Sequence, residues 1–211
     1  MIELGNMKEK REILNKEIAE RLIKTKGESR GMSLKGDVAY VLAKKGEAGL
    51  MKWKEELEKV GCPIEYDKIK ILKFYPLSWR AISLLVLKKI FSWGDKEFKD
   101  LGKFEFSVSM PAIVRIFMKF FYSIDIVIRD SGRIYDKYFT IGELTIPDFS
   151  YEKRYIIARI RGVDLVPEFC RVLEGFFESI MGVIGRNQMA ECSETKCTFR
   201  GDECHEFLIK W

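Results

Sequence analysis

The stretch Glu191-Cys-Ser-Glu-Thr-Lys-Cys-Thr-Phe-Arg-Gly-Asp-Glu-Cys-His-Glu-Phe207 decides how this chain is read. Cys197 and Cys204 flank a turn containing Gly201-Asp202, so a hairpin can bring their sulfurs together. Glu194 lies three residues before Cys197. Cys170 stands near the start of the preceding segment, Pro167 to Val183, which reads as a helix opened by its proline and capped by Gly185. Four ligands, Cys170, Glu194, Cys197 and Cys204, can then converge. Thiolates and a carboxylate suit zinc in tetrahedral geometry, and a site closed by four protein ligands is structural.

Each member also has a plainer reading. Cys62 and Cys192 can be small buried hydrophobes, Glu194 a surface carboxylate, and Cys197 with Cys204 a cross-hairpin disulfide. The single histidine, His205, directly follows Cys204, so on a strand it points to the opposite face and reads as exposed rather than as a ligand.

Outward from this tail, the first half is helical. Met7 to Lys24 repeats Ile13, Leu14, Ile18, Leu22 and Ile23 at helical spacing. Further helices are expected over Leu34 to Lys44, Ala48 to Val60, and from Pro76 through Trp93, with a short one over Lys96 to Leu101. Ala112 to Tyr122 is apolar on nearly all sides and reads as buried. From Ile124 the period changes to two, which predicts strands over Ile124 to Arg129 and Arg133 to Thr140, turning at Ser131-Gly132. Glu143 to Ile146, Arg154 to Arg161, Gln188 to Ser193 and Cys204 to Lys210 read as further strands. Helices first, then antiparallel strands with one helix inserted, argue an α+β fold with N-terminal helices packed against an antiparallel sheet, plus a C-terminal helix and a zinc-bound hairpin. One domain is expected over residues 1–211, with 1–30 as an N-terminal helical extension.

Composition narrows the function. Of 211 residues 47% are hydrophobic and 33% charged, the balance of an ordinary globular protein. The net charge of +5, from 37 basic and 32 acidic residues, is spread among acids rather than gathered on one face, which argues against nucleic acid. Met1 to Arg11 is too polar for a secretory signal, and Ala81 to Trp93 is too short and too charged to span a bilayer. A cytoplasmic protein is expected, where five cysteines point to metal or free thiols before disulfides.

The tail resembles the closing signature of 4-vinyl reductase (hydrocarbon-binding) domains: Glu194-Thr-Lys-Cys197, Arg200-Gly201-Asp202 and Cys204-His-Glu-Phe207. Upstream, Cys170 with Gly175-Phe176-Phe177 and Gly182 is similar to the family's helix of Cys, Gly-aromatic and Gly. The resemblance covers Tyr138 to Trp211 well and the first half only in outline. It implies a fold shared with haem-nitric-oxide sensors and Golgi transport complex subunits, small apolar ligands, homodimers, and zinc held by Cys170, Glu194, Cys197 and Cys204 beside the ligand pocket. Phenol-sensing members are followed by an ATPase and a DNA-binding module; this chain carries neither, so its output is expected through a regulatory protein partner.

An enzyme reading finds no dinucleotide fingerprint and no Walker loop, and the lone histidine lies in the tail rather than in a catalytic triad. A haem sensor would need an axial ligand; His205 lies in the expected metal hairpin rather than on a pocket helix, which leaves Cys192 or Cys62. The favoured expectation is a non-catalytic small-molecule sensor, and its rival is a dimeric scaffold without a small ligand. Since Glu174 follows Cys170 by one helical turn and Cys192 precedes Glu194 by one strand step, Glu174 and Cys192 are expected to line the pocket, opposite Phe121 and Phe149.

Overall fold

The computed structural model describes residues 14–109, 123–185 and 190–211. The expected start of the first helix, the segment Ala112 to Tyr122 with Phe121, and the first residues of the strand expected from Gln188 lie outside the described residues.

Helix α1 (Lys16–Ile23) begins at Asn15, whose side chain accepts the Ile18 N–H at 2.9 Å. It packs on α3 (Leu77–Phe91). Between them, the two helices expected over 34–44 and 48–60 form one element, α2 (Gly31–Lys59), kinked at Gly46, whose φ of 66° only glycine adopts readily. Short strands β1 (Glu28–Arg30) and β2 (Phe74–Pro76) pair antiparallel across the base of α2 and α3. Helix α4 (Asp95–Ser109) is far longer than the single short helix expected there.

The two strands expected over 124–129 and 133–140 are instead one helix, α5 (Ile124–Asp136). The alternation of isoleucines is real, but Ile124, Ile128, Ser131 and Tyr135 also recur at helical spacing, and these form the face turned inward. Ser123 caps the helix, and Ser131-Gly132 lies inside it.

Strands β3 (Glu143–Ser150), β4 (Tyr155–Arg161), β5 (Glu191–Lys196) and β6 (His205–Lys210) form one antiparallel sheet in the order β3-β4-β6-β5. Helix α6 (Pro167–Ile184) crosses its inner face. The α+β class stands, with a refinement: α3 and α4 meet the sheet chiefly through α6. At the α4–α6 crossing the backbones touch, since a Cβ on Gly102 would lie 1.9 Å from the Val172 carbonyl oxygen and one on Gly175 1.9 Å from that of Lys99. No helix among the described residues is long and apolar enough to cross a membrane.

A candidate metal centre beside an apolar cavity

The C-terminal tail folds as a tight loop between two strands. Cys197 accepts the Arg200 N–H at 2.9 Å and the Asp202 N–H at 3.2 Å on its carbonyl, while its own N–H donates to Asp202 Oδ2 at 2.7 Å. Gly201 sits at φ 93°, which closes the turn. The register slips between Glu194 and Lys196, and this bulge lets both Glu194 and Cys197 reach towards α6.

The ligand atoms of Cys170, Glu194, Cys197 and His205 lie within 4.8 Å of one another. Three of the four expected ligands therefore come together, but His205 takes the place expected for Cys204. His205 Nδ1 is 3.4 Å from Cys170 Sγ and 3.0 Å from Glu194 Oε1, and its Nε2 is 2.9 Å from Thr198 Oγ1. The expectation of an exposed histidine counted parity from Cys204, which precedes the strand. Counted from Phe207 and Ile209, both buried on the inner face, His205 falls inside, and it is buried. Cys204 is buried as well but stands outside the cluster.

The electrostatics are those of a site built around donors. Burial pushes the Cys170 thiol up, and the neighbouring Glu194 and Cys197 push it further. Burial raises Cys197 too. Burial would also raise Glu194, but hydrogen bonds from His205, Cys170 and Cys197, with Arg171 alongside, hold its carboxyl below the usual range. An ionised carboxylate thus faces two protonated thiols and an imidazole.

Glu174 and Cys192, expected in the pocket, do not line the cavity beside the cluster. Glu174 Oε1 accepts the Glu194 N–H at 2.6 Å, and Glu178 Oε1 accepts the Cys192 N–H at 2.9 Å. Four residues of helix advance ~6 Å and two residues of strand ~7 Å, so carboxylates at i and i+4 on α6 match alternate N–H groups of the edge strand β5. Buried Glu174 is satisfied by the strand backbone and by Arg171 at 2.9 Å. Phe149 sits on the edge strand β3, 42% exposed and edge-to-face on Tyr151, away from the cluster. Phe121 lies outside the described residues.

The cavity that does adjoin the cluster lies between α5, α6 and β4. Cys170 and His205 form one wall, and the others are apolar, with Tyr135, Phe139, Phe169 and Leu173 prominent. Its volume is about 10 Å³, on the order of a single water. A second hollow of about 460 Å³ is an open groove between Lys99, Lys103 and Lys210, with Cys192 in its floor.

No model of a known protein family matches the chain, and no curated protein does. Solved structures do. An H-NOX protein from S. oneidensis in the Fe(II)NO ligation state is 15% identical with a TM-score of 0.60, over 86% of this chain and 98% of that one. The unliganded Fe(II) H-NOX protein from K. algicida is 13% identical with a TM-score of 0.56, over 86% and 95%. A third, solved in work on modulating haem redox potential through porphyrin distortion, is 11% identical with a TM-score of 0.56, over 86% and 99%.

These neighbours overturn the expectation of structural zinc as the chain's cofactor, because the metal in their names is Fe(II) and one concerns haem. Haem in turn does not fit the donor cluster or the cavity beside it. Haem iron takes a His, Cys, Met or Tyr ligand, and the only histidine has both ring nitrogens engaged by Glu194, Cys170 and Thr198. The cavity beside it is far too small for a porphyrin. What the chain shares with these proteins is the H-NOX fold.

Proposed function

We propose that this chain is a non-catalytic small-molecule sensor domain of the 4-vinyl reductase type, which binds an apolar or aromatic ligand and signals through a partner protein. The observation that carries the reading is the shared wall: Cys170 and His205 belong both to the donor cluster and to the apolar cavity. The resemblance of the tail to the 4-vinyl reductase signature supports the family, and the H-NOX fold supports a sensor. The ligand enters between Phe139, Phe169 and Leu173 and must widen the cavity by displacing side chains of α5.

The cluster holds a transition-metal ion. Two sulfurs, an imidazole nitrogen and a carboxylate oxygen are a mixed soft donor set, and four protein ligands leave no open position for substrate. The ion therefore pins α6 to the β5–β6 loop and stiffens one cavity wall. Arg171 and Thr198 orient Glu194 and His205 from behind. The working unit in this reading is a homodimer, as the resemblance to 4-vinyl reductase domains implies.

The rival, a dimeric scaffold without a small ligand, is favoured by the cavity's size. Solvent extraction of the purified chain followed by mass spectrometry separates the two. A recurrent apolar or aromatic molecule is expected, and Leu173→Trp should abolish its recovery while leaving metal content unchanged. A clean extract from wild-type protein would establish the scaffold instead.

A further inference from the structure

Two large apolar side chains that are neighbours in the chain stand side by side in solvent. Leu72 is 70% exposed and its neighbour Ile71 53%. They are the two central residues of a turn closed by the Lys73 N–H to the Lys70 carbonyl at 3.1 Å. Turn corners ordinarily carry Gly, Asn, Asp, Ser or Pro; here they carry two aliphatic side chains pointed away from the fold. The turn is held firmly. The Met32 N–H donates to the Ile71 carbonyl at 3.1 Å, the Lys70 N–H to the Tyr75 hydroxyl at 2.9 Å, and the Arg30 guanidinium to the Leu72 carbonyl. The same guanidinium lies 4.1 Å from the Phe74 ring centroid and donates through Nε to the Lys137 carbonyl at 2.7 Å.

The residues that flank this tip are basic. Lys70 and Lys73 flank it, Lys137 stands beside it, and none of the three has an ion-pair partner among the described residues. Of the nearby acids, Glu65 pairs with Lys68 at 2.7 Å and Asp67 with Lys54 at 3.5 Å, while Asp136 beside Lys137 is exposed.

We propose that this turn is a docking tip for an anionic phospholipid surface, with Ile71 and Leu72 entering the headgroup–acyl boundary and Lys70, Lys73 and Lys137 resting on lipid phosphates. Two side chains on a projecting corner are too small an area for a stable protein interface. They suit a bilayer, where shallow apolar insertion and basic charge add together. Being a surface contact, the docking needs no membrane-crossing helix.

The test is co-sedimentation of the full chain with vesicles of phosphatidylcholine alone or mixed with phosphatidylserine. Wild-type protein is expected to bind only the mixed vesicles, less as salt rises. The double variant Ile71→Ser/Leu72→Ser and the double variant Lys70→Glu/Lys73→Glu should each weaken binding by about tenfold or more. Both should melt like wild type, since the altered side chains lie in solvent. Wild-type protein that stays in the supernatant with anionic vesicles overturns the proposal. So does equal binding to neutral vesicles, or serine-variant binding as tight as wild type, which would leave charge alone at work.

Discussion

Two buried polar clusters, one among the helices and one at the sheet, are built on different principles. In the helical layer, Arg80 on α3 sits between Asp37 on α2 and Glu105 on α4, 3.3 Å from Asp37 Oδ1 and bonded to Glu105 Oε1, with all three side chains almost fully buried. Burial raises both carboxyls, Glu105 well above its ordinary value, while Arg80 pulls each back down. That triad supplies its own cation. It still leaves Asp37 Oδ2 and Arg80 Nε without partners. At the sheet end, Cys170, Glu194, Cys197 and His205 present lone pairs to a common point. A buried ionic triad can be exchanged for apolar packing, whereas a converging donor set cannot.

The largest effect should follow from breaking the donor set. Cys197→Ser is expected to release bound metal and to lower stability by about 4–5 kcal/mol or more, or to prevent folding. Elemental analysis and denaturant unfolding read both, and a variant as stable as wild type would remove the cluster from the account. Next comes Arg80→Met, which strands two buried carboxyls and should cost about 3–5 kcal/mol in denaturant titration. Replacing Asp37, Arg80 and Glu105 together by Leu, Met and Leu should recover most of that loss. If it does not, the contrast between the clusters fails. Helices α4 and α6 touch at their crossing, and Gly175→Ala there must push the Lys99 carbonyl aside, at about 1–3 kcal/mol.

The smallest effect is in pH. The folded pKa of Glu105 is raised, so the folded state holds a proton that the unfolded state releases, and stability should fall as pH climbs from about 4.3, the ordinary value, towards that raised pKa. Glu105→Gln should flatten this slope. Glu178 works the other way. Although burial opposes it, bonds from Lys103 and Lys99 hold its carboxyl below the ordinary range, so its contribution is present above about 4.3 and lost as pH falls through the depressed value. Stability curves of wild type, Glu105→Gln and Glu178→Gln separate the two windows.

The same contrast explains what could be read in the sequence. The donor cluster was largely legible because three of its members lie within one loop and its flanking strands, and the fourth begins the preceding helix. His205 was missed through counting from the wrong anchor; Phe207 and Ile209, two and four residues on, carried the signal. The triad was illegible, because positions 37, 80 and 105 sit on three helices and no local pattern links them. Helix α5 was misread because Ile124, Ile126 and Ile128 satisfy a two-residue period, while its helical face shows only with Ser131 and Tyr135 counted. The role of Glu174 was illegible because nothing local shows that, one turn after Cys170, it serves an N–H of the edge strand.

Native mass spectrometry of the purified, untreated chain tests the central claim most directly, namely that this H-NOX fold is braced by a metal at Cys170, Glu194, Cys197 and His205 and carries no haem. The expected spectrum shows the folded chain with a single transition-metal ion, no porphyrin, and loss of the ion in His205→Ala. A folded chain at the bare sequence mass, or one carrying haem, would contradict it.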